Sequence, residues 1–243
     1  MAHTARDYTS KGKTTLLLPS FDMNELAARL GKINTYDRGG NVIWMDDFEA
    51  ATLMWEVTAV GDGSAAALDD TWSLNGDQCV KLTGGSDAVS TVRLRRYLSY
   101  PVPGLLGYEA AITNEDAAQN YYIEMGVYDG TYLRRAGVVY RPPTSALSLR
   151  VTAGGLQSLS PAPDLPDNTM LFNKYKFVWD CSTGDYCWLL LNNHAYDCSP
   201  YTCWVTANAA SPQMYIDVFL TNTPPNPNYI RVDDIIITQN EVA

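Results

Sequence analysis

Val42-Ile43-Trp44-Met45-Asp46-Asp47-Phe48-Glu49, followed by Trp55, opens the strand-rich part of this chain, and Ile230-Arg231-Val232-Asp233-Asp234-Ile235-Ile236-Ile237-Thr238 closes it. Between them, short segments alternate in polarity with period two. Cys79, Lys81 and Thr83 alternate with Val80 and Leu82, and 89–98 places Val92, Leu94 and Arg96 on one face. That period marks a half-buried strand, because successive side chains of a strand point to opposite faces. The series continues through Tyr108 to Thr113, Tyr121 to Tyr128, Tyr132 to Tyr140, Ala146 to Thr152, Tyr175 to Cys181, Tyr186 to Asn192 and Met214 to Thr221. Asp129-Gly130 and Ser182-Thr183-Gly184-Asp185 are hairpin signals within it. Helix-period segments are almost absent after residue 41, and no fixed-period repeat suggests a propeller or solenoid. The expected fold is all-β, a two-sheet jelly-roll β-sandwich over 41–243. Pro161 to Asp167 and Pro224 to Asn228 read as surface loops, since proline cannot donate to a central ladder.

Residues 1–40 differ. Met23, Leu26, Ala27 and Leu30 recur at helical spacing between the capping Ser20 and the stop at Gly31. A helix of about ten residues is marginal alone in water, so it must dock. With the linker-like Tyr36 to Asn41, this reads as an N-terminal arm with one short helix that reaches a neighbouring subunit.

The 243 residues include 17 Lys and Arg against 27 Asp and Glu, a formal charge of -10. Such a field repels a polyanion, so nucleic acid is not an expected partner. No run of about 18 apolar residues is available to span a bilayer, and no membrane is expected. Leu16 to Leu18 is too short an apolar stretch for a signal-peptide core. Five cysteines, Cys79, Cys181, Cys187, Cys198 and Cys203, do not pair off completely. Reduced thiols are expected first, and local bridges across the turns second.

The opening Asp46-Asp47-Phe48-Glu49 and the closing Val232-Asp233-Asp234-Ile235 together resemble the terminal strands of concanavalin A-like and carbohydrate-binding-module jelly rolls. In those folds the two strands pair side by side. The junction Arg38 to Glu49, with Arg95-Arg96-Tyr97-Leu98 and Gly107-Tyr108-Glu109, also resembles the arm-to-domain junction of bacteriophage virion proteins. No cofactor is expected from the residues; the resemblance implies a structural calcium ion as a candidate, with Asp46, Asp47, Glu49, Asp233 and Asp234 as its ligands, against the alternative that these side chains cap strand ends or face water. A hard cation of that kind takes six to eight oxygens.

Catalytic patterns are poorly represented. Glucanases of the concanavalin A-like class carry alternating carboxylates on one strand, in the pattern E-x-D-x-x-E. Here Glu124 is followed by Gly126 and Tyr128, and Asp217 by Phe219, so each reads as a lone carboxylate. Histidine occurs only at His3 and His194, which leaves little for a triad or a two-histidine metal site. Lys11 to Thr15 lacks the glycines and the preceding strand of a phosphate loop. The chain is therefore expected not to be an enzyme.

Tyrosines at 97, 100, 108, 121, 122, 128, 132 and 140 are interleaved with Arg93, Arg95, Arg96, Arg134, Arg135 and Arg141. Such a mixture suits an interface or stacking on sugar rings, while part of the tyrosine set fills the core. The candidate interface residues are Phe21, Met23, Leu26 and Leu30 of the arm, and Arg95, Tyr97, Arg134 and Arg135 of the body. The leading expectation is a bacteriophage capsid decoration or accessory protein. Its arm would clamp the major capsid or another virion protein as a homo-oligomer, a trimer in preference to a dimer. Its place would be the virion, assembled in the host cytoplasm. The alternative is a carbohydrate-binding module that adheres to glycans.

Overall fold

The computed structural model describes residues 39–87, 90–115, 120–222 and 228–243. The chain divides into Met1–Asp37 and Arg38–Ala243. The arm helix with Phe21, Met23, Leu26 and Leu30 falls outside the described residues.

The body is a jelly-roll β-sandwich of two antiparallel sheets. In the first, β16 (Tyr229–Gln239) lies beside β6 (Leu105–Asn114), which continues into β11 (Asn168–Asp180), β12 (Tyr186–Leu191) and β13 (His194–Asp197). The other edge of β16 takes β4 (Cys79–Thr83) and β1 (Asn41–Asp46), and β4 carries β3 (Ala65–Asp69). The opening and closing strands pair as the resemblance implied, from Asn41 opposite Gln239 to Asp46 opposite Ile235.

The second sheet runs β2 (Glu56–Val60), β5 (Ser90–Leu98), β15 (Gln213–Asn222), β7 (Asn120–Tyr128), β8 (Tyr132–Arg141), β9 (Ala146–Arg150) and β10 (Leu156–Ser158). The free edge of β8 forks. Val138 to Arg141 pair with β9, and Tyr132 to Arg135 pair with β14 (Trp204–Ala207). Between the two branches, the backbone N–H of Gly137 donates to Tyr186 Oη at 2.7 Å, and Tyr186 Oη donates to the Arg150 carbonyl at 2.8 Å. A tyrosine from the first sheet thus satisfies the backbone groups that the fork would leave buried and unpaired.

The period-two pattern sorts side chains as expected. Tyr121, Ile123, Met125 and Val127 of β7 and Met214, Ile216, Val218 and Leu220 of β15 enter the core, together with Val80, Leu82, Phe177 and Trp179 from the first sheet. Each such side chain contributes about 1.5–3 kcal/mol of burial. Tyr108, Tyr121 and Tyr140 are core tyrosines, and Tyr121 and Tyr175 share a hydrogen bond at 2.7 Å. The outer face of the first sheet is built around Lys176, which is buried between Glu109 at 3.3 Å and Glu241 at 3.0 Å. There the indole N–H of Trp188 donates to the Val242 carbonyl, so the C-terminal residues cover part of this face.

The acidic residues of the terminal strands hold backbone in place. Asp46 Oδ1 accepts from the Phe48 N–H at 2.8 Å, and Oδ2 accepts from the Trp55 indole at 2.9 Å. Phe48 sits in left-handed backbone at φ 58 with its ring buried, a conformation that this short-range bond supports. Replacing Asp46 with Ala orphans the Trp55 N–H and the Phe48 amide. Chemical denaturation should show a loss of about 1–3 kcal/mol, and a loss under about 0.5 kcal/mol would show that these bonds contribute nothing.

Candidate functional site

The outer face of the second sheet carries three cross-strand rows, fixed by the register of its strands. The first reads Ser148, Val139, Tyr122, Phe219, Arg93 and Thr58 across β9, β8, β7, β15, β5 and β2. In the second, Gly137, Glu124, Asp217, Arg95 and Glu56 follow across β8 to β2, with Arg150 of β9 beyond Gly137. The third reads Trp204, Arg135, Gly126, Tyr215 and Tyr97. Paired residues in an antiparallel ladder point to the same face, with Cβ atoms about 4.5–5.5 Å apart. Glu124 and Asp217 therefore stand side by side at the centre.

Both carboxylates are covered, Glu124 at 4% exposure and Asp217 at 0%. Arg95 grips Asp217 with two bonds, Nε to Oδ1 at 2.7 Å and Nη2 to Oδ2 at 2.6 Å, and Arg93 lies 3.7 Å from Oδ2. Arg150 reaches over Gly137 to Glu124 Oε2 at 2.9 Å, and Tyr215 Oη donates to Glu124 Oε1 at 2.9 Å. Desolvation pushes the carboxyl of Asp217 above its ordinary value, against the pull of Arg95, Arg93 and Arg135. Desolvation also raises Glu124, opposed first by Arg150 and reinforced by the nearby Asp217.

Glycines give the rows room. A Cβ on Gly126 would stand 2.1 Å from Cε1 of Tyr215, so only glycine lets that ring lie across β7. A Cβ on Gly137 would meet the Ile123 carbonyl at 2.8 Å. The aromatic rings are themselves layered with guanidinium groups. Tyr122 stacks on Phe219 at 4.1 Å and 8°, and Arg93 lies over Phe219 at 4.8 Å. Arg95 lies over Tyr215 at 4.1 Å, while Arg135 and Arg150 lie 4.6 Å and 4.8 Å from the Trp204 ring. Tyr97 at 45% exposure, with the half-buried Tyr122 and Trp204, presents aromatic surface to solvent.

Of the body residues proposed from sequence as an interface, Arg95, Tyr97 and Arg135 stand in these rows. Arg134 instead pairs with Asp129 and closes the Asp129-Gly130 turn. Sequence reasoning passed over Glu124, Asp217, Tyr215, Phe219, Arg150 and Trp204 as a group. The available signal was that Tyr122 with Glu124, and Asp217 with Phe219, occupy the polar parity of strands whose other parity is wholly apolar.

The five proposed calcium ligands are placed otherwise. Glu49 Oε1 accepts from the Asp77 and Gln78 amides at 2.9 and 3.0 Å, and Asp233 Oδ2 accepts from Leu74 and Asn75 at 2.8 and 3.3 Å. Asp234 accepts from the Asn75 side chain, and Asp47 from the Glu49 amide. Among the described residues no three His, Cys, Asp or Glu side chains are grouped to hold a metal ion. Glu49, Asp233 and Asp234 are spent on N–H groups of loop 74–78, and Asp46 and Asp47 on those of Phe48, Trp55 and Glu49. All five cysteines are free thiols, and burial pushes those of Cys79, Cys198 and Cys203 up to about 12. A depression of about 450 Å³ beside Trp188, Tyr196 and Asp197 has no arginine or lysine in its lining.

No family model matches the chain, and no curated protein matches its sequence. Solved structures share the fold. One is the cellulose induced protein Cip1, at 18% identity and TM-score 0.54, over 82% of this chain and 99% of that one. Another is an endo-β-1,4-glucuronan lyase from the fungus Trichoderma reesei, at 10% identity and TM-score 0.57, over 82% and 95%. A third is an endo-1,3-β-glucanase from Streptomyces sioyaensis, at 14% identity and TM-score 0.50, over 85% and 99%. At these identities the likeness shows the fold.

The expectation that the chain is not an enzyme is corrected by these findings. Its fold is shared with a glucanase and a lyase, and the carboxylates read as lone are cross-strand neighbours. The E-x-D-x-x-E pattern lies along one strand, whereas this pair is assembled across two.

Replacing Arg95 with Ala leaves Asp217 buried with its bidentate partner gone. Unfolding should show a loss of about 3 kcal/mol, allowing for the partial exposure of Arg95, and the Arg95→Ala, Asp217→Asn double variant should recover part of it. An additive double variant would contradict the pairing. Asp233 gives a separate pH test. Desolvation and then the charge of Asp234 raise its carboxyl to about 7, despite donation from three backbone amides. A raised acid binds its proton more tightly in the folded state, so its contribution is full below about pH 4 and lost as pH rises through about 7. The stability of Asp233→Asn should therefore gain on the wild type between pH 4 and 8. A constant difference would contradict the raised value.

Proposed function

We propose that the protein binds a polysaccharide strand across the outer face of its second sheet. The carrying observation is the aromatic surface of Tyr97, Tyr122 and Trp204, interleaved with Arg93, Arg95, Arg135 and Arg150 above the buried Tyr215 and Phe219. Aromatic faces stack on the apolar faces of sugar rings, and guanidinium donors meet hydroxyl oxygens. Five strand spacings of about 4.8 Å give the central row a span of about 24 Å, enough for several sugar units. The solved structures of similar fold that are named for action on glucans and glucuronan support a glycan as the ligand. The bacteriophage decoration role, with its capsid partners and trimer, draws no support from the fold or from these neighbours.

Binding measured by affinity electrophoresis or calorimetry on a panel of polysaccharides should identify at least one ligand. Trp204→Ala and Tyr97→Ala should each weaken it by about 3–10-fold, while Trp188→Ala on the other sheet should leave it unchanged. Binding that survives both outer-face variants but fails in Trp188→Ala would reverse the assignment.

A second reading is favoured by the central carboxylate pair. Two carboxyl groups on cross-strand neighbours, both with raised proton affinity, are the elements of acid–base cleavage of a glycosidic bond. On that reading Glu124, hydrogen-bonded by Tyr215, is the proton donor. Incubation with the bound glycan should release reducing ends, and Glu124→Gln should abolish the release without abolishing binding. Absence of any new ends from every bound glycan would remove this reading.

A further inference from the structure

We propose that the ligand of this face is an anionic saccharide chain, carrying carboxylates or sulfates, and that Arg135 beside Trp204 is its principal anion contact. The inference rests on the glycan-binding reading and names the class of glycan. Its basis is an unbalanced count of commitments among the charged groups of the face. Asp217 gives both oxygens to Arg95. Glu124 accepts a hydrogen bond from Tyr215 at one oxygen, and the other lies 2.9 Å from Arg150 as an ion pair without a hydrogen bond. The third carboxylate in these rows, Glu56, is exposed on the edge strand opposite Arg95, four strands away from Arg135.

Four arginines therefore share two interior carboxylates, of which Asp217 has both oxygens hydrogen-bonded and Glu124 has its second oxygen in an ion pair only. Arg135 has no carboxylate within 4.0 Å among the described residues, and the Nε atoms of Arg93, Arg135 and Arg150 are buried without a hydrogen-bond partner. A guanidinium held half-buried without an anion is costly, and an external carboxylate or sulfate against the accessible part of Arg135 supplies the counter-charge that its buried Nε lacks. The placement is specific. Arg135 and Arg150 both lie over the Trp204 ring, so a sugar stacked on that indole would bring its acidic substituent against two cations. The overall charge of -10 works in the other direction, since it disfavours anions everywhere else on the chain. Recognition of an acid here thus needs the stacking platform as well as the arginines, which favours a sugar acid over a bare polyanion.

The test compares a polyglucuronate, a polygalacturonate, a chondroitin sulfate and two neutral glucans, β-1,3 and mixed-linkage, by calorimetry at low salt and again at higher salt. The expected result is an acidic chain bound about tenfold or more tightly than either neutral glucan, with the preference shrinking as salt is added. The uronate and sulfate arms show which acid the site takes. Arg135→Ala should erase most of the preference, and Arg135→Lys should restore part of it. The salt dependence of the unmodified protein carries the test if a variant does not fold. Equal or tighter binding of a neutral glucan would overturn this inference and leave glycan binding standing. Binding of none of the five would overturn both.

Discussion

Glu124 and Asp217 project from adjacent antiparallel strands onto one face, both out of water, in the middle of a sheet. Like charges directly opposite each other destabilise a sheet, and a buried carboxylate without partners is more costly still. Much of the outer face of the second sheet is arranged around that constraint. Arg95 and Arg150 come in from opposite sides to neutralise the pair, and Tyr215 turns its hydroxyl inward to serve Glu124. Tyr215 can lie over β7 because Gly126 has no side chain, and Gly137, where an added Cβ would meet the Ile123 carbonyl and Glu124, keeps β8 close to β7 beside the pair. The fork that brings Trp204 to this face is in turn closed by Tyr186 from the core. A polar arrangement of this extent is not needed to close a sandwich, whose core is already continuous beneath it. It reads as a surface built to hold something.

The two sheets differ in how their outer faces are used. The first places a single lysine between two glutamates and lays C-terminal residues over it. The second leaves rings and guanidinium groups at partial exposure along its rows. The acidic motifs of the first and last strands, which carried the family resemblance, contribute to neither face. Glu49 and Asp233 clamp loop 74–78 by accepting its amide protons, and Asp46 and Asp47 hold Phe48, Trp55 and Glu49, so the residues that suggested a cation work by meeting N–H dipoles.

The all-β class, the sandwich and the pairing of the terminal strands were legible because each depends on period two and on turn residues, which are local. Tyr108, Tyr121 and Tyr140 could be separated from Tyr97, Tyr122 and Tyr128 by parity alone. The site was less accessible because its geometry is a matter of register. Nothing local in Ile123-Glu124-Met125 or Ile216-Asp217-Val218 says that the two acids meet, since β7 and β15 are some ninety residues apart and the sheet order places them side by side. Trp204 was equally hidden, because β14 joins β8 only where β9 has departed. Arginine clustering with tyrosine was visible, but its partners could not be assigned without the strand order.

The account stands on the location of the ligand. The chain has six tryptophans, of which Trp204 lies on the outer face of the second sheet, Trp188 on that of the first, and Trp72 is exposed elsewhere. The most direct measurement follows their indole N–H resonances by NMR as a bound glycan is titrated in. The account predicts a progressive shift of the Trp204 signal with those of Trp188 and Trp72 unmoved. A saturating ligand that shifts Trp188 or Trp72 and leaves Trp204 in place would contradict it.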